Sequence, residues 1–145
     1  MNEIISKLAL GSANFGLEYG LANHSGKISK SELEKILSVS QASGIEVIDT
    51  AQAYGDSEAR LGVLCSDYCF KIVTKIGNDL ERDSVKNGIS SLVEQSCKRL
   101  NQSKLYAVMI HCPEILLGEH GSLIIKELLL LKERDIISKI GVSIY

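Results

Sequence analysis

A carboxylate, a phenol, an amine and an imidazole stand at Asp49, Tyr54, Lys75 and His111, and together they suit one kind of chemistry. A free tyrosine has a pKa of about 10 and is a poor proton donor at neutral pH. An ammonium close by stabilises the phenolate and makes the phenol a better acid. A carboxylate beside the lysine holds it in place and keeps it charged, while an imidazole can orient a carbonyl oxygen or relay a proton. Such a set delivers a proton to an oxygen whose carbon receives hydride, and the hydride has to come from a cofactor. Each residue also has a plainer reading. An Asp at a strand end caps a turn, a loop Tyr packs, a Lys lies in solvent, and a His before Cys-Pro sits satisfied in a core. The chemistry depends on whether the chain brings the four together.

The elements that would do so alternate between strand and helix. Residues 8–10 form a short apolar run stopped by Gly11, a first strand, and Gly16, Gly20 and Gly26 mark a long loop after it. Ser29 and Glu32 have the spacing of a capping box, opening a helix with Leu33, Ile36, Leu37 and Ser40 on one face and Gly44 as its stop. Residues 45–48 read as a second strand ending at Asp49. Ser57 is placed to cap a short helix carrying Leu61 and Leu64, before a third strand over 71–74. Asp83 is placed to cap a longer helix with Val85, Ile89, Leu92, Val93 and Leu100 at helical spacing. A fourth strand covers 105–110 and halts at His111-Cys112-Pro113, a Leu-rich helix covers 122–134, and a fifth strand covers 140–143.

This alternation implies right-handed crossovers and a parallel sheet in one α/β unit. Pattern alone leaves open whether the sheet is doubly wound or part of a barrel. In both, ligands meet the carboxyl ends of the strands. Asp49, Lys75, His111 and Ser143 fall at those ends, with Tyr54 in the loop after the second strand.

Composition narrows the alternatives. The 145 residues suit one domain, and 45% apolar with 23% charged residues is enough to build a core rather than a disordered chain. Sixteen Lys+Arg against eighteen Asp+Glu, with no block of like charge, argue against nucleic acid or an anionic membrane surface as partner. The longest aliphatic run, 128–131, is far short of the ~20 residues of a membrane span. The N-terminus shows no basic segment followed by an apolar stretch, so a cytoplasmic location is expected. Cys65, Cys69, Cys97 and Cys112 include no CxxC pair and read as reduced thiols. Gly11-x4-Gly16 runs into Leu17-Glu18, and Gly20-x5-Gly26-Lys27-Ile28 has the wrong length, so neither is a phosphate-binding loop. No GxGxxG opens a helix, and Asp49, Glu58 and His111 lack zinc spacing, so no metal is expected.

At these residues the sequence resembles the aldo/keto reductases. The matching stretches are Leu10-Gly11-Ser12-Ala13-Asn14-Phe15-Gly16, Gly44-Ile45-Glu46-Val47-Ile48-Asp49-Thr50-Ala51, Ala53-Tyr54-Gly55-Asp56-Ser57-Glu58 with Leu61-Gly62, Ile72-Val73-Thr74-Lys75, His111-Cys112-Pro113 and Ile140-Gly141-Val142-Ser143. They stand in family order and span essentially the whole chain. The resemblance implies a (β/α)8 barrel of the TIM type and an enzyme reducing an aldehyde or ketone with NADPH or NADH. It implies Tyr54 as general acid, Lys75 as the neighbour that lowers its pKa, Asp49 as the partner of Lys75 and His111 as the group that orients the substrate. It places Ser143 at the nicotinamide carboxamide, and Gly11, Ser12 and Ala13 near the nicotinamide ribose, with Asp49 also on the cofactor side. One departure is Ile144, where many members have Asn after the serine.

A (β/α)8 barrel needs about 250 residues. Residues 1–145 are therefore expected to form the N-terminal portion of such a barrel, a partial barrel of about five β/α units. The family's groups for the cofactor pyrophosphate and adenosine lie on later strands, so the isolated chain is expected to turn over weakly or not at all. Strands one and five would keep unpaired edges and the inner face would lie open, which implies either a longer polypeptide or self-association through the open side. The expected partner is a small carbonyl substrate. The alternatives are a non-catalytic reductase-like binding or regulatory protein, and metal-dependent hydrolysis on a related barrel.

Overall fold

Hydrogen bonding joins five parallel strands into one sheet in the order β1-β2-β3-β4-β5, the order in which they occur along the chain. The strands are β1 (Ala9–Gly11), β2 (Val47–Asp49), β3 (Lys71–Ile76), β4 (Leu105–Ile110) and β5 (Ile137–Val142). The helices between them are α1 (Ala13–Gly16), α2 (Lys30–Ala42), α3 (Ser57–Leu64), α4 (Val85–Leu100), α5 (Glu114–Leu117) and α6 (Gly121–Glu133). This computed structural model describes residues 7–20, 26–65, 68–77 and 85–144.

Strand order decides the architecture that pattern left open. A doubly wound sheet reverses direction from its first strand, so that strands adjacent in the sheet are not consecutive in sequence. Here every crossover adds the next strand on the same side, which is how a (β/α)8 barrel is wound. The described residues form a segment of such a barrel, four β/α units and a fifth strand.

Alternation along β3 shows how the layers form. Ile72, Thr74 and Ile76 are buried, whereas Lys71 is exposed and Val73 half-buried. Ile72 and Ile76 join Ile48, Val108 and Ile110 from neighbouring strands in a core with Leu33 and Leu37 of α2, Ile89 and Val93 of α4, and Ile124, Leu128 and Leu131 of α6. Each of these helices presents apolar residues at 3–4-residue spacing, which is why one face of each is buried. The packing between α3 and α4 is close enough to require glycine. A Cβ on Gly62 would lie 2.0 Å from the Arg99 carbonyl oxygen.

Local signals explain most boundaries. The Ser29 hydroxyl accepts from the Glu32 amide at 3.3 Å and opens α2, and Gly44, with φ +84°, follows the helix end in the left-handed region that a side chain resists. β3 continues two residues beyond the expected Thr74, and β5 begins at Ile137 rather than at residue 140. The extra residues pair in register with neighbours, Ile76 with Ile110 and Ile137 with Leu105. Pairing with an adjacent strand extends an element beyond its own apolar run. The short helices α1 and α5 stand where the sequence suggested only loop. Ser57 is not a cap: it is the first residue of α3, and Asp56 before it makes no side-chain capping bond. The expected cap at Asp83 lies outside the described residues.

Candidate active site

Beyond the strand ends the parallel ladder runs on through single hydrogen bonds, and these hold the rim in register. The Ser12 amide donates to the Asp49 carbonyl (3.0 Å), Thr50 to Val73 (2.8 Å), Gln52 to Lys75 (3.0 Å), His111 to Ile76 (2.9 Å) and Ser143 to Ile110 (2.9 Å). The residues expected at the carboxyl ends thus stand on neighbouring positions of one edge. Because the sheet is parallel, all five loops leave from the same side.

Lys75 is the centre of the arrangement. Its side chain is 7% exposed, and its ammonium lies 2.5 Å from Asp49 Oδ2, 3.3 Å from the Thr50 carbonyl oxygen and 3.5 Å from the Tyr54 hydroxyl. An ammonium has three N–H donors, and each has an acceptor. An unpaired buried charge would be strongly unfavourable, and these partners offset the loss of water. The amine also lies 5.2 Å from the centroid of the Tyr54 ring. Lys75 is therefore not a solvated surface lysine.

His111 completes the group. Its ring meets that of Tyr54 edge-on, with centroids 6.1 Å apart and planes at 90°. Burial holds the imidazole below its ordinary pKa, the Lys75 charge adds to the effect, and Asp49 opposes it. Nδ1 is buried with no hydrogen-bond partner among the described residues.

Tyr54 is placed by the tight turn that carries it. Its amide donates to Ala51 and its carbonyl accepts from Ser57, both at 3.0 Å. This turn rests directly on α1. A Cβ on Gly16 would lie 1.8 Å from the Tyr54 carbonyl oxygen and 2.4 Å from the Ser57 nitrogen, so only glycine admits the approach.

The remaining expected residues are distributed differently. Gly11 pairs with Asp49 and is exposed, and a Cβ built on it would meet nothing within 4 Å. Ser12 is fully buried, with its hydroxyl 3.0 Å from Ser57 Oγ, and so turns inward. Ala13 begins α1 beside it. Ser143 is 7% exposed and follows β5, next along the rim from His111. Glu58, a conceivable metal ligand by residue type, is spent elsewhere. Its carboxylate accepts from Thr74 Oγ1 and Arg99 Nε, both at 2.6 Å.

Beneath the rim, sequence reasoning passed over Thr50 and Gln52 and gave Ser12, Ser57 and Glu58 other roles. Thr50, Ser57 and Ser12 form a buried hydroxyl cluster, Gln52 donates to the Leu92 carbonyl and Ser96 Oγ, and Glu58 joins β3 to α4. The available signal was a row of polar residues from 49 to 58 in a chain otherwise rich in aliphatics. Ser57, standing before an apolar helix, looked like a cap instead.

The lysine–carboxylate–phenol group and the imidazole thus share the carboxyl-end rim of a parallel barrel segment. The model of the aldo/keto reductase family matches residues 7–145, and the chain belongs to that family. It is 29% identical over 154 aligned positions to the D-arabinose 1-dehydrogenase of Saccharomyces cerevisiae, covering 97% of this chain and 43% of that protein. It is 28% identical over 110 positions to the oxidoreductase sirO of Leptosphaeria maculans, covering 74% and 33%. In structure it resembles PA4992 of Pseudomonas aeruginosa, assigned to the aldo-keto reductases, with a TM-score of 0.79, 30% identity, and coverage of 93% of this chain and 54% of that one. The Bacillus halodurans aldo-keto reductase AKR11C1 shares the fold at a TM-score of 0.74 and 21% identity, with coverage of 94% and 45%. The chain spans less than half the length of these two curated relatives. Among the described residues no helix is long and apolar enough to cross a membrane.

Proposed function

We propose that this chain carries the proton-delivering site of an NADPH- or NADH-dependent reductase acting on a small aldehyde or ketone. The observation that carries the reading is the Lys75 ammonium held between Asp49 Oδ2 at 2.5 Å and the Tyr54 hydroxyl at 3.5 Å. Lys75 donates to the phenol oxygen, which leaves the phenol's own hydrogen to be given to a substrate. Tyr54 then acts as general acid on the carbonyl oxygen, and the neighbouring cation stabilises the phenolate left behind. Asp49 keeps Lys75 charged and fixed. His111, neutral by burial, orients the carbonyl through a ring nitrogen.

When bound, the nicotinamide supplies the hydride that the carbonyl carbon accepts, so that C=O becomes HC–OH with the Tyr54 proton on oxygen. The residues present fit its reactive end. Gly11 leaves open space beside Asp49, and Ser143 stands on the rim beyond β5. Ser12 and Ala13 contribute by shaping the turn after Gly11, since the Ser12 hydroxyl is already engaged. Cys65, Cys69 and Cys97 are free thiols, which suits a reducing compartment such as the cytoplasm.

Tyr54→Phe tests the reading in the protein as expressed from its gene. Removing one hydroxyl should lower kcat by roughly 100-fold or more, the usual worth of a positioned proton donor. Cofactor affinity, read by fluorescence titration, and the unfolding midpoint should be unchanged. Full turnover by Tyr54→Phe would end the assignment.

A further inference from the structure

We infer that Thr50 and Ser57 are positioning residues for Tyr54, acting as a hydroxyl clip across the base of the loop that carries it. This rests on the proposed role of Tyr54 and assigns how its loop is held. The two residues bracket the loop at either end, and their side-chain oxygens are 3.1 Å apart in a fully buried place.

Ser57 Oγ is the hub of the cluster. Its hydrogen is shared between the Ser12 carbonyl oxygen and Ser12 Oγ, both at 3.0 Å, and Thr50 Oγ1 lies 3.1 Å away, where either oxygen can donate. A buried hydroxyl with three polar neighbours is held in place, because moving it leaves those groups unpaired.

The clip joins the segments that the chemistry needs. The Thr50 carbonyl accepts from the Lys75 ammonium at 3.3 Å. The Ser57 amide donates to the Tyr54 carbonyl at 3.0 Å, and the Ser12 amide donates to the Asp49 carbonyl at 3.0 Å. One oxygen, Ser57 Oγ, therefore ties the end of β1, the residue after Asp49 and the turn that presents the phenol. The Lys75–Tyr54 separation, 3.5 Å, is at the long end of hydrogen bonding, where a further displacement breaks the contact.

The test compares Thr50→Val, Thr50→Ser and Ser57→Ala with Tyr54→Phe in the protein as expressed from its gene. Thr50→Val keeps the shape and removes the hydroxyl, while Thr50→Ser keeps the hydroxyl. Thr50→Val and Ser57→Ala should each lower kcat roughly tenfold, since misplacement by about 1 Å can cost up to about 100-fold. The carbonyl KM should change less than twofold, and the basic limb of the kcat–pH profile should move. Thr50→Ser should lose less than Thr50→Val. Independently of turnover, amide hydrogen exchange should quicken at Ser12 and Ser57 in Thr50→Val and Ser57→Ala, with α6 unaffected. If Tyr54→Phe is inactive while Thr50→Val and Ser57→Ala keep the parent kcat and pH profile, the clip is overturned and the reductase reading stands. Unchanged exchange at those amides overturns the clip as well. Full turnover by Tyr54→Phe removes the reductase reading and this inference with it.

Discussion

Gly16→Ala asks whether the phenol is placed by backbone contact. The added carbon would sit 1.8 Å from the Tyr54 carbonyl oxygen and 2.4 Å from the Ser57 nitrogen. A carbon–oxygen contact is ordinarily about 3.3 Å or more, so one side has to withdraw by about 1.5 Å. No flexible side-chain end is available to give way. The Tyr54 carbonyl already accepts from Ser57 where α3 begins, and Gly16 closes α1 beneath it. Overpacking of this kind costs about 1–3 kcal/mol. In a chain of this size each kcal/mol lowers Tm by about 2–4 °C. The effect on turnover should be larger than the effect on stability, because movement of about 1 Å at a proton donor can cost about 100-fold. Urea denaturation would read the first quantity and kcat the second. Gly11→Ala is the matched control. Its new carbon meets nothing within 4 Å, so the unfolding midpoint should hold, while the space beside Asp49 is filled and cofactor affinity should fall. An unchanged midpoint and kcat in Gly16→Ala would refute the contact argument.

Glu58→Gln should destabilise the chain by about 2–3 kcal/mol in urea unfolding. A broken buried pair costs about 3–5 kcal/mol, and the loss is smaller here because the Arg99 side chain is 36% exposed. No loss of stability would mean that the Glu58–Arg99 contact is as weak as a surface pair. His111 predicts a pH dependence of stability. Its folded pKa lies below the ordinary imidazole value of 6.5, so the unfolded chain binds the proton more readily. The stability contributed by the neutral ring is complete above pH 6.5 and is lost as pH falls from there through the folded pKa. His111→Gln should remove that component from the unfolding free energy measured across the window, and an identical pH dependence in the variant would contradict the argument.

The alternation of strands and helices was legible because each element carries its own period. Leu33 and Leu37 share one helical face, as do Ile124, Leu128 and Leu131, and Leu105–Ile110 is an apolar run with punctuation at both ends. The common rim of Asp49, Lys75 and His111 was legible for a related reason. In a parallel sheet every strand ends on the same side, so residues at or next to the strand ends share one rim, with Tyr54 in the loop after β2. Boundaries that depend on a neighbour were less legible. β5 reaches back to Ile137 because Leu105 is there to pair with it, and nothing local to residues 137–139 announces that.

Sequence by itself determined the α/β class, the residues at the strand ends and the family they resemble, since all three follow from residue type and spacing. Tertiary structure decided the rest: the sequential strand order, the three acceptors around Lys75, the glycine contact under Tyr54 and the hydroxyl clip at Ser57. Each of these is a meeting of groups far apart in the chain. Ser57 is an ordinary helix-start residue until β1 brings the Ser12 carbonyl within 3.0 Å of its oxygen. Local propensity carries no information about such a partner, because the partner exists only once the sheet has formed.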